Sequence, residues 1–183
     1  MKLLRICLAT LFLASASQAG DADSPRFDLP RHLELVKQPT LGVLKEARVE
    51  GCRFIFHDSG LTSSVVVLIQ KMGQHVSLHA GRVSLHDYYG SSGKTGLDRV
   101  GRSLAAGEWT QLNDKLQKLD PWRYQLTGNF GLDGSFWVLE VFKDGKSRRI
   151  SEWSPEASDY REICLDVWRT SGLVMGNYAD QTR

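Results

Sequence analysis

Three histidines and a neighbouring aspartate form the first group of side chains whose chemistry could carry a function. His75, His79 and His86 fall within twelve positions, and Asp87 follows the last of them. A zinc site needs three or four such ligands around one ion. On an extended strand His75 and His79 share a face but stand about 13 Å apart, at roughly 3.3 Å per residue. The spacing favours solvated strand histidines over a metal site.

Two short motifs contain the residue types of catalytic signatures without the arrangement that those signatures need. Gly93-Lys94-Thr95 matches the end of a nucleotide-binding P-loop, but the first glycine of that motif would fall at Tyr88. His57-Asp58-Ser59 has the residue types of a hydrolase triad, which is defined by convergence in space and not by adjacency. Both motifs are better interpreted as turns or loops.

The longest polar, glycine-rich interval, residues 86–96, is the best candidate for a contact surface. Tyr88 and Tyr89 lie there among glycine and serine, a composition typical of binding loops because tyrosine gives contact area at low entropic cost. Asp87 and Lys94 add charges that would steer association with a partner. We predict that Asp87, Tyr88, Tyr89 and Lys94 bind a partner protein. A loop that is merely solvated is the alternative interpretation.

The first twenty residues indicate where the protein works. Lys2 and Arg5 give a basic start, residues 6–14 form an apolar run, and small residues follow up to Gly20. This order predicts a secretory signal peptide over residues 1–19, since the apolar run is too short to span a bilayer. With cleavage after Ala19, the mature protein is expected in the periplasm and without a membrane anchor.

The charge balance of the mature chain argues against nucleic acid as a partner. The full chain has 23 Lys and Arg residues and 21 Asp and Glu residues. Because Lys2 and Arg5 leave with the signal peptide, 21 basic residues remain against 21 acidic ones, interleaved along the sequence. Proteins that follow nucleic-acid phosphates need a clustered basic surface. We therefore expect a protein partner, no nucleic acid and no cofactor.

Two cysteines survive the expected processing, Cys52 and Cys164. An even number of cysteines in an exported chain is typical of a disulfide framework. We expect one disulfide between them, which would join an early strand to the last helix. Two buried free thiols are the alternative.

Alternating apolar residues and turn signals predict the elements that would position these groups. Strands are predicted at residues 49–57, 63–71, 74–85, 98–104, 131–142 and 147–153, and helices at residues 108–119 and between Ser158 and Gly172. Asp144-Gly145 is a strong hairpin signal between the last two strands. The predicted fold class is α+β: an antiparallel sheet, made of a meander plus a C-terminal hairpin, with two helices packed on one face.

The mature chain is long enough for one domain with a hydrophobic core. We assign that domain to residues 49–173, with a lead-in over residues 20–48 and a flexible tail over residues 174–183. Core positions are expected at Trp137, Leu139, Trp153 and Cys164, which alternate inward on the hairpin or lie on the apolar face of the last helix.

Several motifs between residues 65 and 173 are shared with a known group of proteins. They are Glu108-Trp109-Thr110-Gln111-Leu112, then Gly131-Leu132-Asp133-Gly134-Ser135-Phe136-Trp137 with Glu140, and Ser151-Glu152-Trp153-Ser154-Pro155. On these motifs the chain resembles a family of small exported bacterial α+β domains of uncharacterised function. The resemblance implies the α+β fold and no activity. Domains of this kind are similar to periplasmic immunity proteins, which protect bacteria from effectors such as those of type VI secretion.

These observations lead to one leading hypothesis and two alternatives. We expect a non-enzymatic periplasmic binding protein that neutralises a partner protein, as an immunity protein neutralises a secreted antibacterial effector. One alternative is a periplasmic hydrolase or metal-dependent enzyme that uses the His75, His79 and His86 region. The other is a module that binds a small ligand or the cell wall, for which an exposed tryptophan would provide a stacking surface.

Overall fold

The computed structural model describes residues 33–34, 36–58, 63–84, 98–128 and 134–174. Within these residues the chain forms three α-helices and a six-stranded antiparallel sheet, so the predicted α+β class is confirmed. In chain order the elements are α1 (Leu41–Glu46), β1 (Glu50–Asp58), β2 (Ser63–Met72), β3 (His75–Ser84), β4 (Arg99–Ser103), α2 (Ala106–Leu119), β5 (Ser135–Lys143), β6 (Lys146–Trp153) and α3 (Asp159–Ser171). Among the described residues, no helix is both long enough and apolar enough to cross a membrane.

The strands lie in the order β4-β3-β2-β1-β5-β6, and every neighbouring pair is antiparallel. The first four strands follow chain order, as the predicted meander does, and the β5–β6 hairpin joins the other side of β1. Glycines with positive φ close two of the turns, Gly73 between β2 and β3 and Gly145 between β5 and β6. Glycine adopts this conformation without a steric penalty, which explains why Asp144-Gly145 predicted its hairpin correctly.

The last helix begins and ends where its capping residues predict. The Ser158 hydroxyl accepts a hydrogen bond from the backbone N–H of Arg161 at 3.3 Å, so it satisfies one of the free donors of the first turn. Gly172 ends the helix with φ 72°, and its N–H donates to the carbonyl of Arg169. The boundaries of this helix therefore follow from hydrogen bonds between residues close in sequence.

One face of the sheet, which we call the first face, carries the larger buried cluster. Strands contribute Cys52, Phe54, Phe56, Val65, Val67, Ile69, Val76, Leu78, Ala80, Trp137, Leu139, Val141 and Ile150 to it. Helix α2 adds Trp109, Leu112 and Leu116, and α3 adds Tyr160, Ile163, Cys164, Leu165, Val167 and Trp168. Trp137 meets Phe56 edge-on at 5.5 Å between ring centroids. The core positions expected at Trp137, Leu139 and Cys164 are confirmed.

The opposite face, the second face, is covered by residues 33–34 and 36–49. Leu33 and Val36 pack in one cluster with Ile55, Val66, Val83, Phe136 and Val138. Leu44 and Val49 form another with Leu68 and Phe142. The segment reaches the sheet closely because Gly81 has no side chain: a Cβ there would lie 2.8 Å from Val36 Cγ1. Trp153 lies on this face and is only partly buried, so its expected place in the core is only partly right.

The expected disulfide between Cys52 and Cys164 is wrong. Both residues are free thiols, and both are fully buried in the first-face cluster. Burial raises the pKa of Cys52 to about 12 and the pKa of Cys164 well above its ordinary value. Tyr160, one helical turn before Cys164, is also fully buried, and its hydroxyl donates to the carbonyl of Trp137 at 2.9 Å. Apolar packing, and not a covalent bond, therefore joins β1 to α3.

A thiol count tests this arrangement directly. In the chain lacking residues 1–19, titration after denaturation without reductant should find two thiols, from Cys52 and Cys164. In the folded protein at pH 8 both should react far more slowly, since thiolate is the reactive form and burial disfavours it. If no thiol were found in the denatured, non-reduced protein, the two cysteines would be joined by a disulfide and the free-thiol arrangement would be wrong.

The raised thiol pKa values also predict how stability depends on pH. Between the ordinary thiol pKa of 9.0 and the folded value of about 12, the unfolded chain loses the Cys52 proton while the folded chain keeps it. The free energy of unfolding therefore falls as pH rises above about 9, by up to about 1.4 kcal/mol per pH unit for each such group. Urea unfolding at pH 8 and pH 10 should show this fall, and Cys52→Ala should reduce it. An equal fall in both proteins would contradict the assignment to Cys52.

Candidate functional site

The residues predicted to bind a partner lie outside the described part of the chain. Asp87, Tyr88, Tyr89 and Lys94 fall in the interval between β3 and β4, and His86 falls there too. The predicted signal peptide, residues 1–19, also lies outside it. The partner-binding role of this loop therefore stays a prediction.

The histidines that the structure does describe are spread along the sheet. His75 begins β3, and His79 lies four residues further on, exposed on the second face. In the described ranges no group of three or more His, Cys, Asp or Glu side chains is arranged to hold a metal ion. His57 is buried, with Nδ1 at 2.7 Å from the hydroxyl of Ser64 on the neighbouring strand. This contact links β1 to β2.

A buried ion pair lies on the second face of the sheet, beneath the segment that covers it. Arg53 on β1 faces Glu140 on β5, and both are fully buried. Arg53 Nε donates to Glu140 Oε2 at 2.6 Å, and Arg149 Nε donates to Oε1 at 3.0 Å. Arg53 Nη1 also donates to the carbonyl of Pro39. Burial lowers the pKa of Arg53, and the charge of Glu140 opposes that shift, so Glu140 serves as an internal counter-ion.

An apolar concavity lies at the end of the sheet where β1 begins and β5 ends. We call it the Trp122 groove. Its volume is about 240 Å³. Trp109 and Leu116 of α2 and Val141 and Phe142 of β5 form its apolar floor, and all four are buried. Trp122, which is 38% exposed, lies at its mouth. The groove therefore offers an apolar recess beside an accessible indole ring.

Trp122 is held in place by the way in which helix α2 ends. Asp120 adopts the left-handed conformation with φ 48°, which turns the chain back toward the sheet. Its carbonyl accepts the backbone N–H groups of Arg123 and Tyr124 at 3.0 and 3.1 Å. Arg148 on β6 then donates to the carbonyls of Trp122 and Tyr124 at 2.8 and 2.6 Å. The segment carrying Trp122 is thus bonded to the edge of the sheet.

Polar side chains complete the lining of the Trp122 groove. Asn113, Gln117 and Asp120 come from the helical wall. Glu50 and Lys143 come from the strands, with 3.4 Å between Glu50 Oε1 and Lys143 Nζ. The rim therefore combines amides, carboxylates and an ammonium group around an aromatic surface. Such a rim can accept and donate hydrogen bonds to a ligand or a partner.

Comparison with protein-family models, with curated proteins and with solved structures gave no match to this chain. The resemblance to small exported bacterial domains therefore stays an expectation.

Sequence reasoning did not identify Arg53 or Trp122 as site residues. Both carry a local signal that could have found them. Arg53 and Glu140 each interrupt a run of apolar strand residues. Two opposite charges at such positions indicate a buried ion pair. Trp122 follows the proline that ends α2, where a large aromatic residue in a loop has few core neighbours. No local signal indicates that Arg53 meets Glu140 on β5, or that Trp122 lies beside the start of β1 and the end of β5.

The ion pair predicts a large difference between single and double substitutions. Glu140→Ala should lower the free energy of unfolding by about 3–5 kcal/mol, because it leaves the Arg53 charge buried without a partner. The double variant Arg53→Met/Glu140→Leu should lose less, since it buries no charge at that place. Urea unfolding measures both. Lys118→Ala, which removes the exposed pair with Asp159, should cost under about 1 kcal/mol. Equal losses from Glu140→Ala and Lys118→Ala would contradict the buried pair.

Proposed function

We propose that this protein is an exported, non-enzymatic binding protein that neutralises a partner protein, as an immunity protein neutralises an antibacterial effector. The observation that supports this function best is the exposed Trp122 at the mouth of an apolar groove. The signal-peptide pattern of residues 1–19 supports a periplasmic location. The residues predicted from the sequence to bind a partner, Asp87, Tyr88, Tyr89 and Lys94, supply a further candidate contact.

The Trp122 groove has the composition that protein interfaces use at their centres. Tryptophan is enriched among the few residues that contribute most to binding energy, and such residues pair with recesses on the partner. Here the recess lies beside the indole, floored by Trp109 and Leu116. Glu50, Lys143 and Asp120 at the rim would set the orientation of a partner by charge complementarity. A partner that inserts an apolar side chain would contact the floor and Trp122 together.

The neutralising function can be tested in cells by measuring how well bacteria survive attack by a neighbouring strain. The gene is deleted in its native strain, which is then grown with an isogenic attacker that carries an active contact-dependent secretion system. The deletion strain should survive less well than its parent, and the wild-type gene should restore survival. Affinity capture of the attacker's effector on the purified protein identifies the partner. Unchanged survival against every attacker, with no effector captured, would contradict the neutralising function.

A matched pair of substitutions tests the groove itself. Trp122→Ala should weaken binding of the captured effector at least tenfold, a loss of about 1.4 kcal/mol, because it removes the aromatic contact. It should leave folding intact, since the side chain is partly exposed. Leu126→Ala, on the same segment and 57% exposed but outside the groove lining, should change affinity less than twofold. Calorimetric titration measures both. Equal affinities for Trp122→Ala and wild type would exclude the groove as the contact.

A second candidate function is a module that binds cell-wall saccharide, and one observation favours it. The amides of Asn113 and Gln117 and the carboxylate of Asp120 lie beside the indole of Trp122. A sugar ring stacks on an aromatic face while its hydroxyls bond to planar polar side chains. Sedimentation with purified cell-wall sacculi distinguishes the candidates: a saccharide module pellets with them and Trp122→Ala does not. A neutralising protein stays in the supernatant.

A further inference from the structure

Trp122 also borders a smaller concavity at the end of the β5–β6 hairpin. We call it the hairpin recess. Its volume is about 140 Å³, and Trp122, Lys143, Asp144 and Lys146 line it. Trp122 and Lys143 line the Trp122 groove as well. The exposed indole therefore borders both an apolar recess and a charged one, and a partner that contacts it can reach both.

The hairpin places two lysines directly opposite each other. Asp144 and Gly145 both have positive φ, 52° and 70°, as the two central residues of a type I′ turn require. Lys143 and Lys146 are partners across this turn, and directly opposite side chains lie on the same face of a sheet. Like charges at such positions are destabilising. An anion that contacts both ammonium groups would relieve this repulsion.

The charges that continue from this pair across the sheet are mainly positive. Glu50 Oε1 lies 3.4 Å from Lys143 Nζ, and Glu50 Oε2 lies 3.6 Å from Lys71 Nζ. One carboxylate is therefore shared by two ammonium groups. Lys146 is exposed, and its ammonium forms no ion pair or hydrogen bond with the residues that the structure describes. Three lysines thus face two carboxylates, those of Glu50 and Asp144, which leaves this wall of the groove positive.

The helical wall of the groove has no such excess of charge. Asp120 Oδ2 lies 3.6 Å from Arg123 Nε, so this carboxylate already has a positive neighbour. Asn113 and Gln117, which line the same wall, are uncharged amides. The unbalanced positive charge therefore lies on the strand side, next to Trp122. This asymmetry orients a partner, because its negative group is attracted to the hairpin and not to the helix.

The size of the groove favours an inserted side chain over an enclosed ligand. Sites that enclose small molecules typically have volumes of ~300–1,000 Å³, whereas the groove has about 240 Å³ and the hairpin recess about 140 Å³. A protein segment can place one apolar side chain in the groove while its backbone stays outside. A charged side chain next to it would then reach the hairpin recess.

We propose that the Trp122 groove recognises a protein segment in which a carboxylate side chain stands next to a large apolar one. The apolar side chain enters the groove and contacts Trp122, and the carboxylate lies at the hairpin recess, against Lys143 and Lys146. This inference rests on the proposed neutralising function, since it names the chemistry by which the partner is recognised. A segment of equal apolar content with a neutral or basic neighbour binds less tightly.

Four peptides that differ only at two adjacent positions test both requirements without any effector. Each is a glycine-serine chain with blocked ends that carries Phe-Asp, Phe-Asn, Ala-Asp or Phe-Lys at its centre. NMR titration of the isotope-labelled mature protein, followed at the indole N–H signals, measures the affinity of each. The Phe-Asp peptide should bind at least tenfold more tightly than the other three. Absence of saturable binding of this peptide at millimolar concentrations would overturn the proposal, and so would equal binding of the Phe-Asn peptide.

Removal of the two hairpin lysines then shows where the carboxylate binds. In Lys143→Gln/Lys146→Gln the Phe-Asp peptide should bind at least tenfold more weakly, while the affinity of the Phe-Asn peptide should change less than twofold. The two changes are not additive, because both remove the same contact. The variant should fold, since Glu50 keeps Lys71 as its neighbour, and thermal melts verify this. Equal losses for the two peptides would overturn the proposal.

The control removes two lysines from the segment that covers the second face. Lys37→Asn/Lys45→Gln, at exposed positions, should leave the affinity of the Phe-Asp peptide unchanged, and asparagine suits the positive φ of 55° at position 37. Equal losses in the two double variants would show a general charge effect and overturn the site.

The captured effector separates this inference from the function on which it rests. An effector that binds Lys143→Gln/Lys146→Gln as tightly as wild type would overturn the inference and leave the neutralising function standing. If the peptides bind as expected while survival is unchanged and no effector is captured, the neutralising function fails and the specificity of the groove stands.

Discussion

Strand β1 is buried along almost its whole length, and every residue from Gly51 to His57 is buried. It pairs with β2 on one side and with β5 on the other. A strand in this position needs apolar cover on both faces of the sheet. The side chains of α2 and α3 share the cluster on one face, and residues 33–34 and 36–49 cover the other. The segment before the first strand is therefore part of the packed structure.

A buried pair of charges, one on β1 and one on β5, restricts the arrangement further. Arg53 and Glu140 are both removed from water, so each depends on the other for neutralisation. Their pairing allows one register of β1 against β5, because a shift by one residue would move a charge into the apolar first face. The bond from Arg53 to the carbonyl of Pro39 extends the same network to the covering segment. Both carboxylate oxygens of Glu140 are thereby bonded to arginines within the fold.

Two concave surfaces lie where the cover of the sheet stops. The Trp122 groove forms where α2 ends and the chain turns back toward the β6 edge. A second concavity, of about 410 Å³, forms where residues 36–39 leave β3 and β4 open. The first surface is lined by side chains of α2, of the turn after it and of the β1 and β5 ends, and the second by residues 36–39 and by strands β2 to β4.

Patterns among residues a few positions apart determined most of the secondary structure of this protein from its sequence alone. The strand alternation, the Asp144-Gly145 turn and the caps at Ser158 and Gly172 depend on local geometry, which the order of residues specifies directly. Only the tertiary structure decided which distant residues meet. Arg53 bonds to Glu140 across 87 positions, and no local pattern carries that distance. The even number of cysteines predicted a disulfide, and that prediction was wrong. A disulfide depends on how two sulfur atoms approach each other in the packed core, which the number of cysteines does not specify.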